Sequence, residues 1–123
     1  MAELNALLIW TFVSETPVPD DITSILVQGE QPVAAYKTLR DVAIFTNLRL
    51  FVRDAQGLTG KKVEAYSLPY SSINMWSSEN AKGVFDSSEL ELWTKAGHVK
   101  VKLSKGVDVR KLDHIISQAV LKN

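Results

Sequence analysis

The segment SELELWTKAGHVKVKLS, from Ser88 to Ser104, alternates apolar and polar residues on both sides of a glycine. Period-two alternation marks a strand with one buried face. Two such runs around Ala96-Gly97 predict an antiparallel hairpin with a two-residue turn. In that register Lys95 faces His98, Trp93 faces Lys100, Glu91 faces Lys102 and Leu90 faces Leu103. One face then carries Leu90, Leu92, Val99, Val101 and Leu103, and the other carries Glu89, Glu91, Trp93, Lys100 and Lys102. A slip of one residue would expose the whole apolar set, so the faces are fixed. The opposite charges across the pair add only about 0.2–1 kcal/mol each and serve as register markers.

Five further strands are expected upstream. VAAYKTL (Val33 to Leu39) is the first, followed by VAIFT and RLFVRD, which are joined by Asn47 and Leu48. Asparagine tolerates positive φ, so a tight turn is expected there. VEAYSL comes next and ends at Pro69, which cannot donate to a ladder. SINMWSSE adds another strand, for about seven segments in all. Short antiparallel strands must close or stack to hide their edges.

The two ends read as helical. Leu4, Leu7 and Leu8, with Trp10 or Phe12, share a face at helical spacing. SETPVPDD breaks the chain at Pro17 and Pro19. DDITSILVQGE predicts a second short helix, capped by Asp20 or Asp21 and ended by Gly29. Residues 1–28 are therefore expected to be an N-terminal helical segment, with barrel strands over 33–104. Val109, Leu112, Ile115, Ile116, Ala119 and Val120 fall at 3, 4 and 7 spacing and predict an amphipathic helix over 107–121 with Asp108 as N-cap. No linker interrupts the chain, and a single domain over 1–123 is expected, capped by that helix.

Composition narrows the function. The 123 residues hold 14 Lys plus Arg against 14 Asp plus Glu, which argues against a broad nucleic-acid footprint. It also weakens bulk attraction to anionic membranes. There is no cysteine, hence no disulfide framework, thiolate zinc site or cysteine nucleophile. The apolar run Ala6 to Val13 lacks the basic region of a signal peptide and is far shorter than the ~20 residues of a membrane span, so a cytoplasmic protein is expected.

Motifs for catalysis or cofactors fail on spacing. Gly60-Lys61-Lys62 is no phosphate loop: Ala55 stands at the first glycine position, Lys62 replaces the magnesium-binding hydroxyl, and a strand follows instead of a helix. Gly57 and Gly60 are read as turn residues. Glu79, Asp86, Glu89 and Glu91 do not follow a calcium-loop pattern, and His98 and His114 stand alone. No elbow surrounds Ser71, Ser72, Ser77 or Ser78. No cofactor, metal or catalytic residue is expected, and the chain is read as a non-enzyme.

GEQPVAAYKTLRDVAIFTNLRLFVRD, QGLTGKKVEAYSLPYSSI and ELELW, in that order, resemble the bacterial pleckstrin-homology-like (PH-like) domain family, long carried as a domain of unknown function. The resemblance covers about Gly29 to Trp93. One departure stands out: the family's Glu-Thr-Ala-Gly stretch is here Glu79-Asn80-Ala81-Lys82-Gly83, and Ser87 stands where an apolar residue is common. The resemblance implies a mainly β (α+β) PH-like barrel of two antiparallel sheets capped by the C-terminal helix. It also implies cyclic homo-oligomers, often five-fold rings, with a polar surface at the subunit junction that binds protein partners. Arg40, Asp41, Lys61, Lys62 and Tyr70 are the candidate contacts on that surface. Trp93 lies on the polar face of its strand, so it is expected at a subunit interface or beneath the N-terminal helix. The alternative is a peripheral phospholipid-binding domain using Lys37, Arg40 and Arg49, since headgroups need converging positive charge.

Overall fold

The computed structural model describes residues 6–56, 62–80 and 87–122. Eight strands and one helix follow in chain order: β1 (Ala6–Thr16), β2 (Pro32–Thr38), β3 (Val42–Thr46), β4 (Arg49–Gln56), β5 (Lys62–Pro69), β6 (Ile73–Glu79), β7 (Ser88–Thr94), β8 (His98–Leu103) and α1 (Val109–Leu121). They form one sheet of order β5-β4-β3-β2-β1-β8-β7-β6, and among the described residues no ladder joins β5 to β6. The architecture is therefore mainly β with a C-terminal helix, but the sheet is curled and open, not closed.

The N-terminal segment corrects the sequence reading. ALLIWTFV is a strand, so the count is eight and not seven. A short apolar run fits either period, and β-branched and aromatic content is the tie-breaker. Here that content is high: Ile9, Trp10, Thr11, Phe12 and Val13 run consecutively. Trp10 and Phe12 point into the core, while Leu7, Ile9 and Val13 stay exposed. β1 runs parallel to β8 along Ala6–Phe12 and antiparallel to β2 along Phe12–Thr16. An irregularity between Phe12 and Ser14 marks the change of partner. Such a bulge bends the strand, and it lets one strand join both halves of the sheet.

Asp20–Ile25 is a 3₁₀ turn preceded by Pro19, and neither aspartate caps it. Its Ile22, with Val18 and Leu26, covers Ala35, Val42, Ile44 and Phe51 on the outer face of β2–β4. That cover explains why every residue of β3 is buried. The main core lies on the other face, where Phe12 stacks on Tyr36 at 5.6 Å and meets Phe45 edge-on at 6.0 Å.

The terminal hairpin has the expected faces but a different register. Leu90, Leu92, Val99, Val101 and Leu103 are all buried. Trp93 pairs with His98, Glu91 with Lys100 and Glu89 with Lys102, a shift of two from the two-residue turn. A shift of two leaves every side chain on its face, so hydrophobic pattern cannot choose between the registers. The turn chemistry chooses. Thr94 Oγ1 accepts from the Ala96 and Gly97 amides at 3.1 Å each, and its hydroxyl donates to the Gly97 carbonyl at 2.8 Å. Gly97 takes φ of 145°, and a Cβ there would lie 3.3 Å from the Leu7 Cβ. The Asn47-Leu48 turn also forms, without positive φ at Asn47. Instead the Asn47 side chain accepts from the Gln31 amide at 2.7 Å and donates to the Gly29 carbonyl at 3.1 Å.

The helix starts where expected. Asp108 accepts from the Arg110 and Lys111 amides. The helix packs on β6, β7 and the 3₁₀ turn Tyr70–Ser72, leaning to one half of the sheet. Asp113 ties it down: Oδ1 accepts from Trp76 Nε1 at 2.8 Å and Ser117 Oγ at 3.2 Å, and Oδ2 accepts from Ser78 Oγ at 2.7 Å. The Ser78 and Trp76 bonds hold the Asp113 carboxyl below its ordinary pKa. Asp113→Ala is expected to destabilise the fold by about 1–3 kcal/mol, because it strands a half-buried indole N–H. Denaturant melts would measure the loss, and amide exchange in α1 should rise with it.

Candidate interaction surface

Arg40 and Asp41 close the β2–β3 hairpin, where Thr38 Oγ1 accepts from both of their amides at 3.2 and 2.9 Å. Their side chains part. Asp41 grips Arg53 with Oδ2 to Nε at 2.9 Å and Oδ1 to Nη2 at 3.3 Å. The same guanidinium reaches Asp21 Oδ2 at 2.9 Å, which latches the 3₁₀ turn to the sheet. These hydrogen bonds, Asp41's foremost, raise the Arg53 pKa against the opposing effect of burial. Asp41 is thus a structural residue of this turn. Arg40 is 60% exposed and only approaches Asp54 Oδ1, at 3.7 Å.

A second latch lies at the opposite end of the hairpin. Glu30, 6% exposed, accepts from Arg49 Nε at 2.8 Å, Arg49 Nη2 at 3.0 Å, Thr46 Oγ1 at 2.7 Å and the Val27 amide at 3.0 Å. Burial works against its charge, but these hydrogen bonds outweigh it and hold the Glu30 carboxyl below its ordinary pKa. Arg49 also donates to the Ile25 carbonyl at 2.8 Å and Ser67 Oγ at 3.0 Å, and lies over the Phe51 ring. Spent in this way, Arg49 cannot join Lys37 and Arg40 on a headgroup. No pattern in the sequence announces either latch, because each partner is a long way off along the chain and single charges carry no spacing signal.

Tyr70 corrects another expectation. It is 2% exposed, its hydroxyl donates to the Thr46 carbonyl at 2.8 Å, and burial pushes its pKa up. It is a core residue, not an outward contact. Lys61 lies outside the described residues; Lys62 opens β5, and its side chain lies outside them too. Of the altered Glu79–Gly83 loop, Glu79 and Asn80 are exposed, and residues 81–83 lie outside the description. Trp93 is half-buried and stacks on His98 at 5.0 Å with an interplanar angle of 14°. β1 replaces the helix under which Trp93 was expected to pack. Across the sheet Met75, Trp93, His98 and Ala6 lie in one row by register, starting at the β6 edge.

The family model described as Bacterial PH domain matches residues 3–120. This chain belongs to the bacterial PH domain family. Among solved structures, a DUF1696 family protein with a pleckstrin-homology domain from Shewanella loihica PV-4 superposes with a TM-score of 0.80. It is 33% identical, with 87% of this chain and 96% of that chain covered. A pleckstrin homology domain from Shewanella amazonensis SB2B gives 0.67 at 34% identity, over 81% of this chain and 82% of that one. Uncharacterized protein YjqA of Bacillus subtilis (strain 168) is 46% identical over 82 residues, which are 66% of this chain and 65% of YjqA. The match thus spans just under two thirds of that relative. YozO from the same organism is 28% identical over 86% of this chain and 92% of its own length. This bacterial PH domain has no described helix long and apolar enough to cross a membrane.

Proposed function

We propose that this bacterial PH domain is a non-enzymatic binding module that assembles with copies of itself into a cyclic ring and engages a protein partner beside the subunit junctions. The open sheet carries this reading. A strand with unpaired backbone groups is a template for another strand, and natural edges are usually blunted with charge or proline. The β6 edge, INMWSSE, is nearly uncharged: Met75 is 54% exposed, and Glu79 is its one ionisable residue. The row from Met75 through Trp93 to His98 runs inward from that edge and offers an apolar strip to a neighbour. Pairing β6 of one copy with a different edge of the next is heterologous, and heterologous contacts whose rotation closes form rings, while the rest form open filaments. Lys62 opens the far edge strand β5, and Arg40 projects from the β2–β3 turn as an exposed planar donor suited to carboxylates.

Size exclusion with light scattering, run at two salt concentrations, tests the assembly. The expected result is one uniform mass near five chains at both salts. Met75→Lys, a charge placed on the edge, is expected to reduce that mass to the monomer, and Trp93→Ala to weaken the assembly in a concentration-dependent way. A monomer of the unaltered protein at high concentration overturns the ring.

A further inference from the structure

The β2–β3 hairpin is shorter than the strands on either side of it. β2 stops at Thr38 and β3 starts at Val42, while β1 continues back to Ala6 and β4 runs on to Gln56. Ala6–Thr11 pair with β8 on one side, and among the described residues no strand pairs with them on the other. Asp54–Gln56 likewise pair with β5 and have no partner on β3. The sheet therefore has a notch two strands wide, about 10 Å across at strand spacing. A groove of about 310 Å³ fills it. That volume sits at the low end of the ~300–1,000 Å³ typical of ligand pockets, so it suits single side chains.

The walls of the notch differ in chemistry. Leu8, Trp10 and Val52 line it, and Leu39, 74% exposed, stands at its rim. Trp10 meets Tyr66 edge-on at 5.9 Å. Asp54 is the carboxylate of the notch's lining, and Glu64 lies directly opposite Asp54 on β5, beyond the lining. Tyr66 donates to Glu64 at 3.2 Å, whereas Asp54 Oδ1 is buried without a hydrogen bond and has only a long ion pair, at 3.7 Å, to Arg40, a 60% exposed side chain of the same groove. A carboxylate oxygen in such a place favours a cationic donor, and the neighbouring aromatic faces attract the same charge.

We infer that the notch is the docking site for an extended segment of a partner protein that carries a lysine or arginine. Its backbone adds as a strand along the free side of Leu8–Thr11, and its basic side chain enters beside Trp10 and Tyr66 to meet Asp54. Strand addition gives affinity through the main chain, and the pocket gives side-chain choice. The inference rests on the reading of this domain as a protein-binding module, and it names the chemistry of the partner.

The test is selection from a random heptapeptide display library on the full chain, followed by titration of the enriched synthetic peptides. Enriched peptides are expected to alternate apolar residues around a lysine or arginine and to slow amide exchange at Leu8–Thr11. Asp54→Asn is expected to weaken them at least tenfold, and so is Leu39→Lys, a change at an exposed site that leaves the core intact. Three outcomes overturn the inference: no enrichment, peptides that bind both variants as tightly as the parent chain, or protection at β5 or β6 instead of β1. Amides at Leu8–Thr11 that are already slow in the peptide-free chain and quicken on dilution would also overturn it, since a second copy would then fill the notch. A ring mass near five chains with no peptide enrichment would sink the notch alone and leave the module reading in place.

Discussion

Replacing Phe12 with alanine is expected to destabilise the domain by about 3–5 kcal/mol, the range for removing a fully buried aromatic ring. Phe12 is 0% exposed and touches both Tyr36 and Phe45. It also sits where β1 exchanges β8 for β2, so its ring fills the joint between the two halves of the sheet. The adjacent substitution Val13→Ala, at a half-exposed side chain, is expected to stay within about 0.5 kcal/mol. The contrast between neighbours is the discriminating quantity. A strand alternates strong and weak effects residue by residue, whereas a helix would spread them with a period near 3.6. Urea melts of Trp10→Ala, Thr11→Ala, Phe12→Ala and Val13→Ala would read that period. Equal losses at Phe12 and Val13 would contradict the placement of β1.

Glu30→Gln is expected to cost about 3 kcal/mol, because breaking a buried ion pair leaves its partner uncompensated. Arg49 would lose the carboxylate that accepts two of its hydrogen bonds while staying largely enclosed, with 20% of its side chain exposed. The folded pKa of Glu30 is depressed, so its contribution is fully present above the unfolded value near 4.5. It is lost as the pH falls through the folded pKa. The gap between parent and Glu30→Gln should therefore be widest near neutral pH and shrink in acid. Denaturant melts across pH 3–7 measure it, and a gap constant through that range would mean that the charge of Glu30 contributes nothing. Replacing both Glu30 and Arg49 by methionine is expected to recover most of the loss, since apolar groups of similar volume carry no desolvation penalty.

Strand periodicity was legible without the structure wherever one face was buried and the other wet. Ser88–Thr94 and His98–Leu103 fall on runs the alternation marks, and Asp108 caps α1 through the side-chain oxygen its sequence position offers. The PH-like fold was legible through the resemblance of three ordered segments to the bacterial PH-like family, and the match over residues 3–120 agrees with it. The candidate contacts fared unevenly. Arg40 is exposed, but Asp41 and Tyr70 are engaged inside the fold, because a turn position and an aromatic ring say nothing about which distant group will claim them.

Local pattern alone was enough for the inward faces of the last hairpin and for the start of the C-terminal helix. Only the tertiary structure decided that ALLIWTFV is a strand, since its partner β8 lies at the other end of the chain and a short apolar run satisfies both periods. The two-residue shift of the last hairpin was also a tertiary and turn-level decision, because side-chain alternation repeats every two residues. The Glu30–Arg49 and Asp41–Arg53–Asp21 latches, and the notch left by the short β2–β3 hairpin, arise from groups brought together only when the sheet curls. Their energies depend on three-dimensional distance and burial, and neither is written in local spacing.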